Sequence, residues 1–144
     1  MSLVVSVVAK IGEAIQGAAD AGGIVNWIQK LIREKVEGIV LHGPEPGPER
    51  TVDNLNFSAA GIEGEAQALL CDLRGLMVSS GAACVSRDLR ISQVLRAIGT
   101  PTDLALSNLV ATLGPENTEE EAERAAGIYA GVVEKLRAVA PRTL

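Results

Sequence analysis

The run Val78-Ser79-Ser80-Gly81-Ala82-Ala83-Cys84-Val85-Ser86 places a cysteine among small residues directly after a short apolar stretch. A thiol in such a loop is mobile, accessible and free of bulky neighbours, which suits a nucleophile that handles sulfur. Arg87 and Arg90 follow closely, and cations near a thiol favour the thiolate, the form that attacks sulfur. Cys84 is therefore the candidate nucleophile. Ser79, Ser80, Gly81 and Ser86 form its supporting loop, with Arg87 and Arg90 as candidate thiolate stabilisers. The competing reading is that Cys84 is a small buried hydrophobe, as free cysteines commonly are.

Other chemistry-bearing residues are weaker candidates. Cys71 stands in an apolar helical pattern beside Leu70 and reads as core packing rather than a resolving thiol. His42, between Leu41 and Gly43 at a strand end, reads as a solvated turn residue before it reads as a general base. Glu63 and Glu65 lie at a helix start, where complementarity to the helix dipole accounts for them. Two cysteines and one histidine cannot supply the four ligands of a structural zinc site, so no metal is expected.

Hydrophobic residues make up 47% of the 144-residue chain and aromatics 2%. This predicts one domain (residues 1–144) with an aliphatic core and no aromatic platform for stacking bases. A formal net charge of -5 without a basic cluster argues against nucleic acid and against an anionic membrane. The first cation, Lys10, follows the N-terminal apolar run instead of preceding it, so a secretory signal is not expected. No stretch has the length of a membrane span, and the expected location is cytoplasmic.

The elements that must hold the loop follow from periodicity. Val4, Val8, Ile11, Ile15 and Ala18 recur at helical spacing, as do Ile24, Trp27, Ile28 and Leu31, predicting N-terminal helices over residues 1–36 with a break at Gly22-Gly23. Residues 37–144 form the remaining core. Strands are expected over 38–41, 52–58, 76–78 and 109–113, and helices over 62–73, over a segment capped by Ser92 and closed by Gly99 and Pro101, and from Thr118 onward. Thr118 and Glu121 make a capping box. The order predicts an α/β (α+β) fold, a small mixed or antiparallel sheet of about four strands packed with helices.

Several short stretches, in order, resemble the C-terminal small domain of the cysteine desulfurases, pyridoxal-phosphate enzymes of the class V aminotransferase fold. They are Asn54-Leu55-Asn56-Phe57-Ser58, Gly61-Ile62-Glu63-Gly64-Glu65-Ala66, Asp72-Leu73-Arg74-Gly75, the Cys84 run, and Val94-Leu95-Arg96-Ala97-Ile98-Gly99. Leu113-Gly114 and Asn117-Thr118-Glu119-Glu120-Glu121 complete the match. The resemblance runs from about His42 to the last helix. More loosely, residues 1–40 are similar to the helices that join this domain to the cofactor domain.

The resemblance implies that Cys84 corresponds to the family's sulfur-accepting loop cysteine, which becomes a persulfide and passes its sulfur on for iron–sulfur cluster assembly or thiolation. It also implies what is different. The cofactor-bearing lysine, next to a histidine in the family, has no counterpart here. Val110 stands where the family has an arginine for the substrate carboxylate, Val85 where threonine is common, and Pro115-Glu116 where Arg-Phe is usual. The expectation is thus a small domain that relays sulfur on Cys84, with no cofactor in this chain alone. Pyridoxal phosphate would enter only if a separate large subunit supplies the lysine. The alternative is a non-catalytic assembly module derived from a desulfurase. Expected partners are that large subunit or a sulfur-acceptor protein, together with a second copy through the apolar N-terminal helix.

Overall fold

A computed structural model describes residues 23, 26, 28–44, 49, 53–81, 91–114 and 116–140. Three strands, β1 (Ile39–Leu41), β2 (Asn54–Ala59) and β3 (Asn108–Thr112), form an antiparallel sheet in the order β1-β2-β3. The helices are α1 (residues 28–35), α2 (Gly64–Asp72), α3 (Gln93–Ala97), α4 (Thr102–Leu106) and α5 (Glu119–Val139). Gly23 is itself helical, while Gly22, the other half of the expected break, lies outside the described residues, as do Val4, Val8, Ile11 and Ile15.

Register assigns each face of the sheet its character. Side chains alternate along a strand, so Leu55, Phe57 and Ala59 of β2 share a face with Leu109 of β3, and Phe57 pairs with Leu109. These residues are buried in one cluster with Cys71 of α2, Ile28, Ile32 and Val36 at α1, and Ala122, Ala126, Tyr129, Val132 and Val133 of α5. The Phe57 and Tyr129 rings meet edge to face, with centroids 5.2 Å apart and planes at 88°, the arrangement the ring quadrupoles favour. A buried amide ties the helices to the strand. Tyr129 Oη donates to Gln67 Oε1 at 2.7 Å, and Gln67 Nε2 donates to the carbonyls of Ser107 at 3.0 Å and Ile62 at 3.3 Å.

Helix α5 begins as its sequence dictates. The Glu121 amide donates to Thr118 Oγ1 at 3.2 Å, and the Thr118 amide donates to Glu121 Oε2 at 3.1 Å, a closed capping box. Those bonds, with Asn117, hold the Glu121 carboxyl below its ordinary range.

Three local expectations change. Residues 76–78 are not a strand; only Ser79 bridges to Val110. The cause is the end of α2, where Gly75 takes a φ of 79° and the Leu76 amide bonds to Cys71 O at 2.9 Å. That six-to-one closure binds residues 75–76 to the helix and away from the sheet. The sheet accordingly has three strands, with Ser79 as a single further rung. Ser92 occupies the N-cap position of α3 but makes no side-chain cap bond. Helix α4 was not anticipated, because Gly99 and Pro101 read as terminators. Pro101 stands instead at its N-cap, where its missing N–H costs nothing.

Candidate functional site: the base of the cysteine loop

The second face of the sheet is polar. Asn56 pairs with Val110 and Ser58 with Asn108 across β2 and β3, all on the side opposite Phe57. The described start of the candidate loop, Ser79 to Gly81, lies against this face. Ser79 is held to β3 by two backbone bonds, Ser79 N to Val110 O at 3.0 Å and Val110 N to Ser79 O at 2.7 Å. Two residues on, Gly81 turns with a φ of 73°, and its amide donates to Ser79 Oγ at 3.2 Å. A Cβ at this position would stand 2.6 Å from Asn108 Oδ1 and 3.3 Å from Val110 Cγ2. Glycine is thus required twice, by the left-handed backbone and by the close approach to Asn108.

Asn108 is the floor beneath that turn, and it is 2% exposed. Its Nδ2 donates to Asn56 Oδ1 and to the carbonyls of Phe57 and Leu109, each of the latter at 3.3 Å. Its Oδ1 is buried without a hydrogen-bond partner. The amide therefore staples β2 to β3 under the point where the loop departs. Sequence reasoning did not single out Asn108 or Asn56. The available signal was the alternation Asn54, Asn56, Ser58, whose polar members mark a second face with work to do besides facing water.

Of the expected site residues, Ser79, Ser80 and Gly81 belong to this base, with Ser79 and Gly81 exposed and Ser80 half-buried. Cys84, Ser86, Arg87 and Arg90 lie outside the described residues. Val110 is half-buried in β3 and packs beside Gly81.

His42 differs from its expected solvated state. It is 7% exposed, and its Nε2 lies 2.6 Å from Ser58 Oγ. Ser58 Oγ donates its proton to Leu104 O at 2.6 Å, so the histidine must be the donor in the first contact. A serine whose proton is already committed to a carbonyl is not being activated by a base. The pair fastens β1, β2 and α4 together, and burial pulls the imidazole below its usual pKa. Cys71 has the opposite character to a reactive thiol. It is fully buried, and desolvation pushes it up to about 11 despite the Arg74 charge nearby.

Among the described residues, no group of three His, Cys, Asp or Glu side chains could hold a metal ion, and no helix is long and apolar enough to cross a membrane. Nor do they fit pyridoxal phosphate. Lys30, Lys35 and Lys135 stand exposed on helices, and the rings of Phe57 and Tyr129 are consumed by the core.

No family model matches the chain. Curated relatives do. The chain is 42% identical over 122 residues to a mitochondrial cysteine desulfurase of Arabidopsis thaliana, covering 80% of this chain and 26% of that protein. It is 47% identical over 118 residues to the cysteine desulfurase IscS of Haemophilus influenzae, covering 82% and 27% respectively. Among solved structures, a NifS-like protein superposes with a TM-score of 0.70 at 19% identity, over 88% of this chain and 30% of that one, which establishes the shared fold. The chain spans less than a third of the length of these relatives. By sequence and by fold it is homologous to one part of the cysteine desulfurases, enzymes of the class V aminotransferase fold.

Proposed function

We propose that this chain is a desulfurase-derived small domain that accepts and relays sulfane sulfur as a persulfide on Cys84. The Cys84 thiolate attacks the outer sulfur of an incoming persulfide. A new S–S bond forms to Cys84 as the donor's S–S bond breaks. The donor's sulfur departs with the electron pair and takes up the proton that Cys84 released. Thiolate exchange of this kind is redox-neutral and needs no further reagent. The same step, run onto an acceptor thiol, discharges the sulfur. Release of sulfur from cysteine itself would call for pyridoxal phosphate and the lysine that holds it, which a large-domain partner would supply in this reading.

The observation that carries this reading is the anchored loop base. Two backbone bonds to Val110 and the glycine turn on Asn108 hold the start of the loop, Ser79 to Gly81, against the sheet, and an anchored start supports a reading in which the thiol three residues further on is presented for exchange. A second reading, the assembly module, is favoured by one specific observation. Val110 offers an aliphatic side chain at the position where the resemblance implies a carboxylate-binding arginine. Self-association through the apolar spacing of Val4, Val8, Ile11 and Ile15 fits either reading, and sedimentation of the intact protein tests it.

Transfer separates the two. The protein is incubated with an active cysteine desulfurase and cysteine labelled at sulfur, then reisolated without reductant. Label retained by the wild type and by Cys71→Ser, and absent from Cys84→Ser, supports the relay. Equal labelling of Cys84→Ser and wild type, or no labelling at all, favours the assembly module.

A further inference from the structure

The two chain segments that meet at the Ser79–Val110 rung part company immediately beyond it, and the gap between them is an open groove of about 380 Å³. Its walls are Leu76 and Val78 on one side and Ala111 and Leu113 on the other, over a floor that includes Ala125 and Ile128 of α5. The splaying has its cause at the end of α2. Residues 75–76 are bound to the end of α2, while β3 stays in register with β2 through Thr112.

Backbone direction makes this more than an apolar recess. In an antiparallel ladder, successive residues aim their N–H and C=O groups to opposite sides. Val110 aims at Ser79, and the Leu113 amide aims at Asp53 O of the β2 side at 2.8 Å. Thr112 therefore aims its N–H and C=O at the groove. Met77 stands two residues before Ser79, outside any strand. The next rung of the ladder would be Met77 with Thr112, and no hydrogen bond joins them among the described residues. A strand edge with paired neighbours on one side and an empty rung on the other is a template for another extended chain. The Met77 side chain stands at the rim, 87% exposed.

We infer that this groove receives an extended segment of a partner polypeptide, which adds to β3 at Thr112 and lays aliphatic side chains on Ala125 and Ile128. Backbone bonds supply the recognition and alternate side chains the selectivity, as in other strand additions. Charge indicates the segment's sign. Where β3 ends, Glu121 lines the groove and the Glu116 carboxylate lies over Gly114, close enough to clash with a Cβ there. Glu119 and Glu120 are exposed in the same turn of α5, with Arg124 as the one cation in the lining among the described residues. The segment that fits carries lysine or arginine beside its aliphatic residues. A second copy fits poorly. Pairing groove to groove would bring the acidic turn of α5, Glu121 among it, against its own like charges, and seating the three-residue β1 edge in a neighbour's groove would be a head-to-tail contact that propagates without closing. Sulfur transfer on Cys84 plays no part in this recognition.

The probe is a fluorescein-labelled peptide, Lys-Val-Thr-Val-Thr-Val-Lys, titrated with the intact protein and followed by anisotropy. The peptide is expected to bind saturably and to lose at least about tenfold in affinity when alternate backbone amides are N-methylated, because those bonds are made in an apolar setting. Replacing its lysines by glutamates weakens it further, and Ala125→Phe, which fills the floor, abolishes binding. Should that variant not fold, hydrogen exchange in the wild type decides the matter, with the Thr112 amide becoming protected when peptide is added. Indifference to N-methylation, an unprotected Thr112 amide at saturation, or absence of binding would each overturn the inference. Labelling of Cys84 measured on the same sample reads the sulfur proposal separately.

Discussion

The two faces of the small sheet carry different burdens. On one, Leu55, Phe57 and Leu109 are at most 2% exposed and pack on α2 and α5. On the other, Asn56, Ser58 and Asn108 exchange hydrogen bonds with one another's strands, with His42 and with α4. Both faces are largely buried, yet one is held by non-directional apolar contact and the other by directional bonds. The apolar face sets whether the domain folds. The polar face sets where the chain from Ser79 to Gly81 can go, because a hydrogen-bonded amide fixes position far more narrowly than a patch of aliphatic carbon does.

The largest effect should come from the apolar face. Phe57→Ala removes a ring in contact with Tyr129 and is expected to cost about 3–5 kcal/mol in chemical denaturation. At temperatures where the variant remains folded, transfer to Cys84 should be little changed. Tyr129→Phe deletes the donor to Gln67 Oε1 and leaves a buried acceptor unpaired, for a loss of about 1–3 kcal/mol. The polar face should respond in the reverse way. Gly81→Ala forces a side chain into a left-handed backbone and against Asn108, for about 1–2 kcal/mol of local strain. It should slow alkylation and labelling of Cys84 out of proportion to its effect on the midpoint of unfolding. If Gly81→Ala melts like wild type and labels like wild type, the distinction between the faces is broken.

The pH dependence should be smaller and should separate the faces by direction. His42 has a folded pKa below its ordinary 6.5, so the unfolded chain binds more protons just below that value. Its contribution is present above pH 6.5 and is lost as pH falls further. Cys71 has a folded pKa raised from 9.0 to about 11. Its contribution is complete below pH 9 and is lost as pH rises toward 11. Thermal melts across pH should therefore lose stability on the acid side in a manner removed by His42→Gln, and on the alkaline side in a manner removed by Cys71→Ala.

Much of the apolar face was legible in the sequence. Leu55 and Phe57 alternate, α5 announces its start through Thr118 and Glu121, and Cys71 sits in a helical stripe. These features rest on local periodicity and capping, which a sequence displays directly. The polar face was legible only in part. His42 read as solvated because its partner, Ser58, is 16 residues away. Asn108 went unnoticed because its role depends on Asn56, 52 residues distant, and on Gly81 turning against it. Residues 76–78 read as a strand because their composition is that of one, while the Gly75 turn that diverts them is set by the closure of α2. Long-range partners decide such residues, and no short window contains them.

The most direct test of the relay is peptide mapping by mass spectrometry after exposure to a persulfide donor, with alkylation of both thiols before digestion. The account predicts a trapped persulfide on the peptide containing Cys84, while Cys71 stays an unmodified thiol until the protein is unfolded. A persulfide on Cys71 in the folded protein, or a Cys84 that neither accepts sulfur nor alkylates, would contradict it.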